Sequence, residues 1–194
     1  MKFSFFMLIS LVLFPVLGVA GTYQIDTHQS AVYWKATKVT GAHEGEVGVK
    51  SGSIRFEDGH FVGGNAVVDM TTITISDLKN EGMNKKLLRH LQSDDFFDIE
   101  KYPEAKISIT EVQPLNDHQY SILADMSIKK ITKQIQFVAT VKLTETEVIA
   151  DAEVVIDRTD FDIRYGSGKF FENLGDKMIH DQFTLKINIK ASNK

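Results

Sequence analysis

From Gly21 onward, apolar and polar residues alternate with a period of two, the mark of strands with one dry face and one wet face. The clearest run is Tyr120, Ile122, Ala124, Met126 and Ile128, interleaved with Ser121, Asp125 and Ser127. Ile135, Phe137, Ala139, Val141 and Leu143 form the next. Val148, Ala150, Ala152, Val154 and Ile156 follow, and Phe183, Leu185, Ile187 and Ile189 come last. Earlier stretches carry the same alternation with more interruptions. Val32, Trp34 and Ala36 share one face, and a second strand covers 46–56, with Gly48 and Gly52 as bends or bulges. A third runs over 61–75 with Val62, Gly64, Ala66, Val68 and Met70 on one face, and a fourth holds Ile107 and Ile109.

Two segments break the period. Between the third and fourth strands, Met83, Leu87 and Leu91 fall at i, i+4 and i+8, which predicts one amphipathic helix that Asn80 can cap. Before the last strand lies a long connection, 158–177, rich in glycine and aromatics. Eight mostly sequential antiparallel strands with one apolar face predict an all-β domain over 21–194, either a closed up-and-down barrel or a sandwich. The barrel is favoured because closure removes the sheet edges, and eight strands leave an interior wide enough for one elongated ligand or a filling of side chains. The helix and the long loop then cover one mouth.

The first twenty residues have a different character. Lys2 precedes an apolar run around Leu8, Ile9, Leu11, Val12, Leu13 and Phe14, and Gly18 and Ala20 stand before Gly21. This pattern predicts a signal peptide over 1–20, cleaved near Ala20, and hence a periplasmic or secreted protein. An uncleaved anchor is the weaker reading, because the run is short and Pro15 breaks it, so no permanent membrane span is expected. The absence of cysteine removes disulfides, thiolate nucleophiles and lipid attachment after the signal. With a net charge of −4 and no basic stripe, the chain offers nothing for nucleic acid. The oligomeric state is not fixed by the sequence, and a homodimer stays open.

Four motifs carry a resemblance. His90-Leu91-Gln92-Ser93-Asp94-Asp95-Phe96-Phe97-Asp98, continuing to Tyr102-Pro103, is similar to the H-L-x-S-x-D-F-F-D-x-x-x-Y-P stretch of the YceI-like family of lipocalin-like barrels. The opening Tyr23-Gln24-Ile25-Asp26-Thr27-His28-Gln29-Ser30 resembles the family's aromatic-x-I-D-x-x-H-S start, with one extra residue before the serine. Ile128-Lys129-Lys130-Ile131-Thr132-Lys133 resembles its L-x-G-x-T-K hairpin with lysine in place of glycine, and Arg158-Thr159-Asp160-Phe161 resembles its R-x-D-F element. Leu88 and Arg89 stand where many members have an arginine–aspartate pair, so no role that needs that aspartate is carried over. The resemblance implies a lipocalin-like barrel whose lumen holds an isoprenoid chain, such as a polyprenyl phosphate or a quinone tail, with no other cofactor.

The lumen candidates are Ile122, Ala124, Met126, Phe137, Ala139, Ala152 and Val154 from three neighbouring strands, with Val68, Met70 and Leu185 from others. Trp34 and Phe183 are the bulky candidates from the first and last strands. The same alternation suits a filled core, but the small residues Ala124, Ala139 and Ala152 at mid-strand point toward a cavity. Arg158, Arg89 and His90 are candidates for head-group contact, since guanidinium can hold a phosphate bidentately. A structural pairing of Arg158 with Asp157 or Asp160 competes with that role. No catalytic residue or metal site is assigned. The six histidines lack any close ligand spacing, Gly166-Ser167-Gly168-Lys169 is followed by Phe170 where a phosphate loop needs serine or threonine, and Asp94-Asp95 are neighbours suited to capping. An enzyme acting on a bound lipid and a cell-envelope interaction module with a filled barrel are the alternatives to a lipid carrier.

Overall fold

The computed structural model describes residues 20–193, so residues 1–19 of the expected signal peptide lie outside the described part. The strands are β1 Gly21–Ile25, β2 Ala31–Lys38, β3 Gly41–Glu57, β4 His60–Asp69, β5 Glu104–Pro114, β6 Gln119–Ile128, β7 Ile131–Leu143, β8 Glu147–Asp157 and β9 Ile179–Ser192, with one helix, α1, at Glu81–Gln92. β2 through β9 pair antiparallel in chain order, and β9 pairs with β2, which closes an eight-stave barrel.

β1 is a ninth strand that the alternation did not predict. It continues the stave of β2, pairing Tyr23 with Ile54 of β3 and Ile25 with Ala191 of β9. The break between β1 and β2 is a turn built on Asp26, whose Oδ1 accepts the N–H groups of His28 (2.9 Å) and Gln29 (3.2 Å). Ser30 then locks the turn to β9, accepting the Lys190 N–H at 3.1 Å.

Three expectations need correction. β4 ends at Asp69, and Met70 begins a 3-10 turn that Asp69 caps by accepting the Thr71 N–H at 3.0 Å. Gly63, at φ +154°, forms a bulge opposite Arg55–Phe56, so Phe61 points inward and Val62 leaves the face shared by Gly64, Ala66 and Val68. Asn80 caps α1 as expected, accepting the Met83 N–H at 3.0 Å, but Met83 is 61% exposed. The inward face is instead Asn84, Leu87, Leu88 and Leu91, because the Asn84 amide donates to the carbonyls of Ile75 (2.9 Å) and Leu78 (3.1 Å) and so sets the helix's rotation.

The two ends of the barrel are built differently. Short hairpins at 57–60, 114–119 and 143–147 close one end. The other end carries hairpins 38–41 and 128–131, the connection containing α1, and the long connection from β8 to β9. No helix among the described residues is long and apolar enough to cross a membrane.

Candidate functional site

Inside the barrel lies an apolar cavity of about 230 Å³, walled mainly by aliphatic and aromatic side chains. Trp34, Val68, Met70, Ile122, Met126, Phe137, Ala139, Ala152, Phe183 and Leu185 stand in its wall. Ladder register explains the grouping, since directly opposed residues share a face: Trp34 opposes Leu185, Ile122 opposes Phe137, and Ala139 opposes Ala152. Ala124 and Val154 sit apart from the cavity, enclosed by neighbours at 0% and 2% exposure. Sequence reasoning missed Phe61, freed to turn inward by the Gly63 bulge, and Phe96 and Phe97 of the acidic turn after α1. The two phenylalanines were legible as large apolar residues inside a charged stretch.

The middle of the barrel is hollow and one end is solid. Phe137, Ala152, Leu185 and Ile187 face inward yet stay half-accessible, because the space before them is empty. At the hairpin end Phe56, Phe61, Tyr120, Val148 and Ala191 are all buried. Rings there pack edge-on from Tyr23 to Phe56 (5.7 Å), on a tilt to Phe61 (5.8 Å) and edge-on to Tyr120 (5.3 Å), which plugs that end.

At the other end the cavity reaches the inner side of both covers, through Leu91, Phe96 and Phe97 on one and Ile163 on the other, beside Ile179 at the start of β9. Trp34 is fixed by its indole N–H, which donates to the Thr74 carbonyl at 3.1 Å. Arg158 is 5% exposed, stands in the cavity wall and ties the long connection to the start of β9: Nη1 donates to the Ile163 carbonyl (2.8 Å), Nε to His180 (3.1 Å) and Nη2 to Ile179 (3.0 Å). Its carboxylate partner is Asp181 at 3.5 Å, in place of the expected Asp157 or Asp160. Burial lowers the Arg158 pKa from its ordinary value, while the charges of Asp181 and Asp157 work the other way.

Lys169 reaches Asp157 at 2.7 Å and Asp181 at 3.6 Å, so it closes the same cluster from outside. His90 is not in the cavity wall. Its Nε2 lies 3.2 Å from Asp95, and its ring packs edge-on against Phe96 (4.9 Å) and Tyr165 (4.4 Å), clasping α1 to the long connection. Arg89 is exposed on the outer side of α1. Among the described residues no group of three or more histidine, aspartate and glutamate side chains could hold a metal ion.

The family model described as a YceI-like domain matches residues 23–191. A UPF0312 protein of Pseudomonas putida (strain W619) is 29% identical over 128 residues, covering 63% of each chain, so the match spans under two thirds of that relative's length. Among solved structures, Burkholderia cenocepacia BcnA superposes with a TM-score of 0.70 at 18% identity, over 87% of this chain and 99% of that one. A polyisoprenoid binding domain from Saccharophagus degradans, implicated in plant cell wall breakdown, gives 0.65 at 11% identity, over 89% and 98%. The hollow closed barrel, its two covers and the family match over nearly all of the described residues together place this chain in the YceI-like family.

Proposed function

We propose that this protein is an exported, non-catalytic carrier that holds one long isoprenoid lipid, a polyprenyl phosphate or a quinone tail, in the barrel lumen. The observation that carries the reading is the empty apolar space at mid-barrel, between a plugged end and a covered end. An isoprene unit brings five carbons, and burial contributes about 0.8 kcal/mol per CH₂-sized group, so a few units suffice for tight binding without a polar contact. The polyisoprenoid-binding name of the Saccharophagus degradans neighbour supports the same class of ligand. A filled barrel serving only as an interaction module is disfavoured by the half-accessible inward faces of Phe137, Ala152 and Leu185. Because Arg158 spends its donors on carbonyls of the long connection and the start of β9, we assign it to holding the lumen's roof and leave the head group at the covered end.

The single tryptophan of the chain stands in the lumen wall and gives a direct test. Titration with a polyprenol or a ubiquinone is expected to change Trp34 emission saturably at one ligand per chain. Emission that ignores both ligands would contradict the carrier reading. N-terminal sequencing of protein recovered from outside the cytoplasm tests export and is expected to begin at Gly21.

A further inference from the structure

The two barrel ends differ in charge as well as in construction. The three hairpins of the plugged end carry Glu57, Asp58, Asp117, Glu145 and Glu147 and no lysine or arginine. The two hairpins of the covered end carry Lys38, Lys129 and Lys130 and no carboxylate. The long connection beside them is balanced, and from Glu81 to Lys101 five carboxylates exceed the four lysines and arginines by one, so the covered end stays the more basic of the two. In a chain of net charge −4, this separation is a dipole that presents the covered end to an anionic surface.

The same end exposes large apolar side chains. Val39 is 49% exposed, Phe170 44% and Phe171 49%. Val39 meets the far end of the connection that carries both phenylalanines, for its N–H donates to the Met178 carbonyl at 3.2 Å. The backbone under the aromatic pair is a turn: the N–H groups of Phe170 and Phe171 donate to the carbonyl of fully buried Ser167 at 3.1 and 3.0 Å. Arg164 lies 4.8 Å over the Phe170 ring, a basic head beside an aromatic body. Exposed aromatic side chains edged by lysine and arginine suit the head-group layer of a bilayer, where rings sit at the interface and ammonium groups reach phosphates.

We propose that the covered end of the barrel docks on an anionic phospholipid bilayer through Lys38, Lys129, Lys130, Val39, Phe170 and Phe171. The inference rests on the carrier reading for its purpose, since a long isoprenoid is insoluble in water and a membrane is its reservoir. It also rests on construction: the covers are connections outside the strand ladders, whereas the plugged end is made of hairpins that belong to them.

The test is flotation of the chain beginning at Gly21, which holds every element of the barrel, with vesicles of equal parts phosphatidylglycerol and phosphatidylcholine. The wild type is expected to bind, less so at high salt. Phe170→Ser/Phe171→Ser and Lys129→Glu/Lys130→Glu are each expected to weaken binding by roughly tenfold or more. Leu115→Ser, which changes an exposed apolar residue at the plugged end, is expected to leave it unchanged. Circular dichroism checks that each variant is folded, and uptake of dispersed polyprenol, read by Trp34, tests the carrier reading separately. Protein that takes up polyprenol but ignores vesicles would overturn the docking surface and keep the carrier. Vesicle binding without uptake would do the reverse. Binding that both double variants leave intact would overturn the assigned surface, as would a dimer that forms through Phe170 and Phe171 in place of vesicle binding.

Discussion

Arg158 joins the Ile163 carbonyl of the long connection to the Ile179 and His180 carbonyls at the start of β9. Removing its side chain leaves those acceptors without their donor in a buried place, and leaves Asp181 with Lys169 alone at 3.6 Å. Arg158→Ala is therefore expected to cost about 3–5 kcal/mol in urea denaturation. Beside it, Asp157 accepts the Thr159 N–H at 2.9 Å and pairs with Lys169 at 2.7 Å. Burial pushes the Asp157 pKa up, but the hydrogen bonds from Lys169 and Thr159 and the Lys169 charge outweigh it, and the pKa is held below the ordinary carboxylate value. A lowered folded pKa stabilises the protein above the unfolded value of about 4, and that contribution is lost as pH falls through the folded value. Asp157→Asn is expected to cost about 1 kcal/mol at pH 7, with the gap from wild type shrinking below about pH 4, as read from denaturation at both pH values. At this scale the sequence marked Arg158 as a position of interest and missed its partners, because Ile179, His180 and Asp181 reach it only through the fold of the long connection.

At the scale of elements, the alternating runs were legible because a half-buried strand must alternate, and β6 and β8 match their predicted faces closely. β1 was not legible, since five residues are too few to show a period and their role depends on an edge left open by β3 and β9. The helix was legible in its existence and its cap, while its rotation depends on the Asn84 bonds to carbonyls of the irregular segment just before it. The segment after β4 shows how close approach selects glycine. Thr74 and Ser76 donate to the Glu46 and Glu44 carbonyls at 2.8 and 2.9 Å, and a Cβ on Gly45 would lie 1.9 Å from the Thr74 oxygen. Gly45→Ala is expected to push this segment away, break the Trp34–Thr74 hydrogen bond and cost about 1–3 kcal/mol. Urea denaturation measures the loss, and a shift of Trp34 emission to longer wavelength reports the freed indole.

For the whole molecule, period-two alternation led to a closed barrel because closure leaves no edge of β2 or β9 unpaired. Whether the barrel is hollow was not legible, since a filled core and a lumen wall have the same alternation. The alanines illustrate this: Ala124 is fully enclosed, while Ala152 faces the cavity and stays half-accessible. Ala152 is thus the position where one substitution separates the two cases. In a close-packed interior, Ala152→Trp would push neighbours off their rotamers at about 1–3 kcal/mol or more. In a hollow one, the indole takes the ligand's space and leaves the delipidated protein with its melting temperature nearly unchanged. The most direct measurement is native mass spectrometry of wild type and Ala152→Trp, each purified without detergent and then offered polyprenol and quinone. One isoprenoid-mass ligand is expected per wild-type chain and none on the folded variant. A wild type that arrives empty and takes up neither lipid would contradict the carrier reading.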